Sequence, residues 1–211
     1  MSEVIVDTLK HSGNSGTANL TLASGGGVTV PDTLTVPTKK LVCPGTIIQV
    51  QTGQDTAAST ISLGGAFNWT NLSTFSVQIT PTAASSKILI SGYFGGEADW
   101  EDHGIYYKLV RDVASVGASD IAIGDAAGNR LRVTGVVQPG YHGNDQDSTT
   151  AHTTIPNYLD SPNTTNQITY SIYICADSAS KTWYLNRTLG STDAAAYERL
   201  SSWMTVQEVA A

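Results

Sequence analysis

"QITYSIYICA", residues Gln167–Ala176, places Ile168, Tyr170, Ile172 and Ile174 at every second position, with Thr169, Ser171 and Tyr173 between them. A period of two belongs to a β-strand, whose successive side chains leave opposite faces. One face of this strand is apolar and should meet a core. The texture recurs to either side. "KILISGYF" sets Ile88, Ile90 and Phe94 on one face. "TIIQVQT", "FSVQIT", "GIYYKLV", "IAIG", "RLRVTGVV", "KTWYLN" and "SSWMTVQEV" are equally short and rich in β-branched or aromatic residues, with turn formers between them. "DAAAYERLSS" offers a short helix or a loop leading into the last strand. Many short strands without strong helices between them predict an all-β fold. The expected form is an antiparallel β-sandwich or jelly-roll-like domain over 45–211.

Composition agrees. Of 211 residues, 40% are hydrophobic and 14% charged, against roughly 25% charged in an average soluble domain. Ser, Thr, Asn and Gly fill the difference, which suits turns and neutral strand faces. The net charge of −7, with an isoelectric point near 4.8, speaks against a phosphate-binding surface, and nucleic acid is not an expected partner. No stretch is long and apolar enough for a membrane-spanning helix, and "MSEVIVDTLK" lacks the basic start and apolar run of a signal peptide. The chain is expected to fold in a cytoplasm without membrane insertion. Cys43 and Cys175 are then expected as small buried apolar groups, not as a disulfide.

The first 44 residues differ from the rest. They contain no aromatic residue, yet "TANLTLASGGGVTVPDTLTVP" (Thr17–Pro37) alternates apolar and polar positions. Ordering backbone costs roughly 1–2 kcal/mol per residue, and single Leu and Val side chains offset little of it. Such a segment gains order when identical strands wind together and close one another's edges. An extended N-terminal β segment (1–44) is therefore expected to intertwine with its copies.

Polar segments lie between the strands: "EADWEDHG" (97–104), "DAAGNR" (125–130) and the long stretch 138–166. Loops of that last length are usually functional or disordered. Trp100, Tyr141 and Tyr158 fall in these segments beside Asp102, His103, His142 and Asp145. Rings can cover the apolar face of a sugar while neighbouring polar groups take its hydroxyls. These seven residues are the glycan-binding candidates. "DWEDHG" lacks the ordered Asp-x-Asp-x-Asp-Gly calcium loop, and no His pair has zinc spacing, so no metal or other cofactor is expected. No Gly-x-Ser-x-Gly elbow and no marked carboxylate pair occurs, so no catalytic residue is assigned and an enzyme is not expected.

The opening "SEVIVDTLK" followed by "GTANLTL" resembles that of fibre-like virion proteins of tailed phages, marine and cyanobacterial ones above all. Their C-terminal β domain is resembled by "ITPTAASSKILISGYF", "YYKLVRDVASVGASDIAIGDAAGNRLRV", "NQITYSIYI", "WYLNR" and "SSWMTVQEV", in that order. The resemblance implies a homotrimeric fibre or spike located in the virion and assembled in the host cytoplasm. It implies an N-terminal segment, with Val4, Ile5, Val6 and Leu9, that docks on other virion proteins of tail or capsid. It implies a C-terminal tip that attaches to a host-surface glycan or outer-membrane receptor. A long repetitive shaft is missing between the two parts, which leaves a capsid decoration or head-fibre protein as an alternative. A depolymerase tip is the third reading.

Overall fold

Ile168, Tyr170, Ile172 and Ile174 are all fully buried, as their spacing predicts, on a central strand of a five-stranded sheet. A computed structural model of the protein describes residues 44–99, 104–137, 150–190, 192–195 and 197–211. The described residues contain no helix. Eleven strands follow one another: β1 (Ile47–Asp55), β2 (Ser59–Ser62), β3 (Thr70–Ile79), β4 (Lys87–Ala98), β5 (Ile105–Val113), β6 (Gly117–Ile121), β7 (Gly135–Val137), β8 (Ala151–Asp160), β9 (Ile168–Ala176), β10 (Thr182–Leu185) and β11 (Ser202–Val209).

Every pairing is antiparallel, and the strands form two sheets, a jelly-roll-like sandwich. In the first sheet the long strand β4 is central. One of its edges takes β11 along residues 87–93 and then β10 at 96–98; the other takes β8. β1 extends the sheet beyond β11, and β2 extends it beyond β10. The second sheet runs β3-β9-β5-β6, with β7 on the same edge of β5 as β6.

Between the sheets lies one core. Phe75, Phe94, Tyr107, Tyr170 and Trp183 meet Leu, Ile and Val from both sheets, each large side chain contributing about 1.5–3 kcal/mol by burial. Phe94 sets its ring edge-on to Tyr107, 5.3 Å between centroids. Gly96 gives Trp183 its space. A Cβ there would run into the Tyr184 carbonyl oxygen and come within 2.9 Å of the indole.

Two buried carboxylates fasten the assembly. Asp160 of β8 accepts from Arg111 Nη1 (2.8 and 3.1 Å), from Tyr170 Oη (2.7 Å) and from the Ser161 amide (2.9 Å). This joins the two sheets through one side chain. Burial and the neighbouring carboxylate push the Tyr170 phenol far above its usual range. Glu208 of β11 accepts from Gln49 Nε2 (2.6 Å) and from both the amide and the hydroxyl of Thr82 (2.7 Å each), which ties down the β3–β4 turn.

The structure changes several strand readings. The stretch 138–166, expected as one loop, contains the ten-residue strand β8. Pro156 disguises it, since proline disfavours a regular ladder. Here it sits in a bulge: Ile90 faces Tyr158 and Gly92 faces Ile155, so Pro156 and Asn157 together oppose Ser91. "IAIG" and "RLRVTGVV" are strand only in part. β6 begins at Gly117 after a tight turn in which Ser115 and Gly117 take positive φ of 68° and 110°, and it ends at Ile121. Ala122 at φ 53° then turns the chain away. The described part of "DAAAYERLSS" is a set of turns with one bridge between Arg187 and Arg199, not a helix.

Chain direction sorts the two poles of the domain. Gly45 donates to Ala210 O and Ala210 donates to Thr46 O, so both lie at the first pole with the β3–β4 turn. Ala98, Ile105, Val137 and Ala151, the strand ends that flank the segments around 100–103 and 138–149, gather at the opposite pole. Residues 1–43 lie outside the described residues, with Val4, Ile5, Val6, Leu9 and Cys43 among them, as does the intertwining expected of them.

Candidate site on the outer face of the second sheet

Alternation that sends Tyr107 and Leu109 inward sends Tyr106, Lys108 and Val110 of β5 outward. On β9 the outward partners are Cys175, Tyr173 and Ser171, paired with them in register. This outer face is not left bare. The β2–β3 connection crosses it, with Gly64 and Phe67 at positive φ (64° and 58°). Phe67 donates its amide to Ala176 O at 2.7 Å and stacks on Tyr106, 6.4 Å between centroids. Trp69 follows and places its ring 4.7 Å from Lys108 Nζ, a cation–π contact.

Lys108 is further held by Asp120 of β6, with Nζ 2.8 Å from Oδ1 and 2.9 Å from Oδ2. Asp120 faces Val110 in the β5–β6 ladder, so it is the diagonal neighbour of Lys108. The lysine side chain retains 13% of its exposure and the aspartate 38%. The irregular segment after β6 then folds back. Gly124 donates to Val133 O, and Arg132 Nε donates to Gly124 O at 2.7 Å. Among the described residues this is the hydrogen bond that the Arg132 guanidinium makes, which leaves its two terminal nitrogens for other acceptors.

β5, β6, β9 and the segment after β6 border an open cleft of about 520 Å³, a volume within the range of small-ligand sites. Val110, Ile123 and the Tyr173 ring supply apolar surface, and Ser119, Asp120 and Arg132 supply polar groups. Lys108 and Asp120 neutralise each other, so Arg132 gives the cleft a net positive charge on a chain of net −7. Cys175 lies under the same face but is fully buried, and burial pushes its thiol up to about 11, so no reactive thiolate is present there.

The sequence candidates fare differently. Trp100, Asp102, His103, Tyr141, His142 and Asp145 lie outside the described residues. Tyr158, expected in a polar loop, stands on β8 and is half-buried against the core, so it is withdrawn as a loop contact. Trp69, Lys108, Asp120, Arg132 and Tyr173 were not singled out by sequence. The hairpin signal in "RDVASVGASD" could have paired Lys108 with Asp120. Nothing local brings Trp69, Arg132 and Tyr173 to them. Among the described residues no three His, Cys, Asp or Glu side chains converge as a metal site would require, and no helix is long and apolar enough to cross a membrane.

No family model matches the chain, and no curated protein does. Among solved structures, Eiger TNF from S. frugiperda aligns with 80% of this chain and 94% of its own, at 8% identity and a TM-score of 0.36. The infectious bursal disease virus Gx strain aligns with 86% of this chain and 43% of its own, at 14% identity and a TM-score of 0.32. The VP2 subviral particle of that virus gives 86% and 42%, at 12% identity and a TM-score of 0.33. The chain thus spans less than half of either viral protein. Likenesses this remote say nothing of function.

Proposed function

We propose that 45–211 is the surface-binding tip of a fibre-like virion protein of a tailed phage, and that it attaches to a host-surface saccharide without cleaving it. The observation that carries this reading is the cleft over β5 and β9. It offers a tyrosine ring and aliphatic groups beside a hydroxyl, a carboxylate and an arginine with free nitrogens. A ring face with polar groups at its rim suits a sugar, which is apolar on one face and hydroxylated at its edge. The terminal nitrogens of the Arg132 guanidinium, whose Nε is held by Gly124 O, favour a sugar that carries a carboxylate, which they can take in a two-pronged bond.

The N-terminal segment serves as the virion anchor in this reading, and homotrimerisation would set three clefts on one spike. Linked weak sites raise avidity about 10²–10⁴-fold. The test uses the labelled full chain on immobilised bacterial polysaccharides, neutral and uronate-bearing. Binding to uronate-bearing chains should fall at least tenfold in Tyr173→Ala and in Arg132→Ser, with no reducing ends released. Equal binding by both variants would remove the cleft from the reading, and released reducing ends would favour a depolymerase.

A further inference from the structure

The outer face of the first sheet has a different chemistry. β1, β11, β4 and β8 lie side by side there, and their outward positions fall into register as rows. Gln54, Trp203, Tyr93 and Thr154 form one row; Thr52, Thr205 and Ser91 form the next; Val50, Gln207, Leu89 and Leu159 form a third. None of these is charged. Lys87 stands at the end of the face and is engaged by Ser161 Oγ at 2.9 Å. Trp203 is 41% exposed, Val50 52% and Leu159 54%. Four strands about 4.8 Å apart and six residues of about 3.4 Å each give a backbone footprint on the order of 300 Å², before side chains widen it. Trp203, Val50 and Leu159 thus bring exposed apolar surface to a face whose other outward residues are mostly polar and uncharged.

We infer that this face is where copies of the chain meet one another. The argument is electrostatic. Identical chains of net charge −7 repel, and a face without carboxylates meets its own copy at the least electrostatic cost. The described outward positions of β1, β11, β4 and β8 over these rows hold no carboxylate: Asp55, Asp160 and Glu208 point inward and are buried, and Glu97, on the outward alternation of β4 beyond the rows, is buried and accepts from the Leu189 amide. Depletion of charge together with the exposed Trp203 and the half-buried Tyr93 is also the composition of an interface centre. The hydroxyl and amide groups of Thr52, Thr205, Ser91 and Gln207 provide hydrogen bonds between copies without a net charge. The face lies across the sandwich from the cleft, so assembly leaves the proposed saccharide site open.

The test is sedimentation of the full chain over a wide concentration range. The natural chain should form a defined oligomer. Trp203→Glu and Leu159→Glu should each raise its dissociation constant at least tenfold, with strand content and melting cooperativity kept. Tyr173→Ala, across the sandwich, should leave it unchanged. As a second measurement, Thr205→Cys at the centre of the face should cross-link copies through a short bismaleimide. A natural chain that stays monomeric, or an oligomer that survives Trp203→Glu with Thr205→Cys uncross-linked, overturns the inference. So does a monomer in which Trp203 is shielded from a soluble quencher, which would give the face to residues 1–43. The oligomeric readout does not depend on any sugar, so its failure and that of the cleft reading are separate.

Discussion

The two outer faces of the sandwich obey the same alternation and end with opposite surfaces. On the first sheet the three outward rows of β1, β11, β4 and β8 hold no charged residue, and Trp203, Val50 and Leu159 are exposed there. On the second sheet, Phe67 and Trp69 from one connection and Ile123 and Arg132 from another lie over or beside β5, β6 and β9, and the outward Val110 and Cys175 are buried under them. Period two decides which residues leave the core. It does not decide what those residues meet. On the second sheet long-range connections answer that question, and they turn a flat sheet face into a cleft with an ion pair at its side.

The sharpest way to break the comparison is to cut what makes the faces one body. Asp160→Ala strands the half-buried Arg111 guanidinium and the buried Tyr170 hydroxyl, for which the cost of about 3–5 kcal/mol of a fully buried pair is an upper bound. Denaturant unfolding should show the loss in a single transition, whether followed on the first sheet or the second. Two separated transitions, or a loss below about 1 kcal/mol, would mean that the faces belong to independent units.

A smaller effect is seated under the bare face. Burial alone would raise the Glu208 carboxyl, but hydrogen bonds from Gln49, Thr82 and Ser86 outweigh it and hold the group below its ordinary value of 4.5. A depressed folded value means that the stabilisation is complete above the ordinary value and is lost as pH falls through the folded one. Melting temperature should therefore drop as pH falls from 5 toward 3, within the acid range of Glu. Glu208→Gln should be about 1–3 kcal/mol less stable at neutral pH, since it sets an amide against buried donors, and its acid limb should be shallower. An unchanged acid limb would assign the acid response to other carboxylates.

The smallest effect sharpens the contrast on the covered face. Lys108→Met keeps the aliphatic stem against Trp69 and removes the charge from a pair whose aspartate is 38% exposed. It should cost no more than about 1 kcal/mol, yet turn the cleft from net positive toward neutral by freeing Asp120. Uronate binding should weaken while stability barely moves. A large stability loss would show that the pair serves packing before recognition.

Much of the fold was legible because the strands beside the core carry long β-branched or aromatic side chains at alternate places. Ile168 to Ile174, Ile88 to Phe94 and Met204 to Val206 need no partner to be read. β8 was illegible because Pro156 argues against a ladder, and only the neighbouring strand reveals the bulge that admits it. β2 was missed for a different reason: "STIS" is four residues long and mostly polar, and it is strand because β10 pairs with it. The cleft was hidden more deeply. Trp69 and Tyr173 are separated by most of the domain's sequence, and Lys108 lies between them without any local sign that it will sit over an indole ring. Reading loops for exposed rings pointed at segments beyond the described residues. The rings that the structure does show on a polar surface reach it from a strand and from the end of a connection.

The hydrogen bonds that join Gly45 and Thr46 to Ala210 fix where foreign sequence can be grafted. A reporter fused after Ala211 would leave the domain beside Gly45 and Thr46. The strand ends at Ala98, Ile105, Val137 and Ala151 would stay clear of it at the far pole. A peptide displayed there would stand at the other end of the sandwich from a C-terminal fusion, so the two additions would not compete for space.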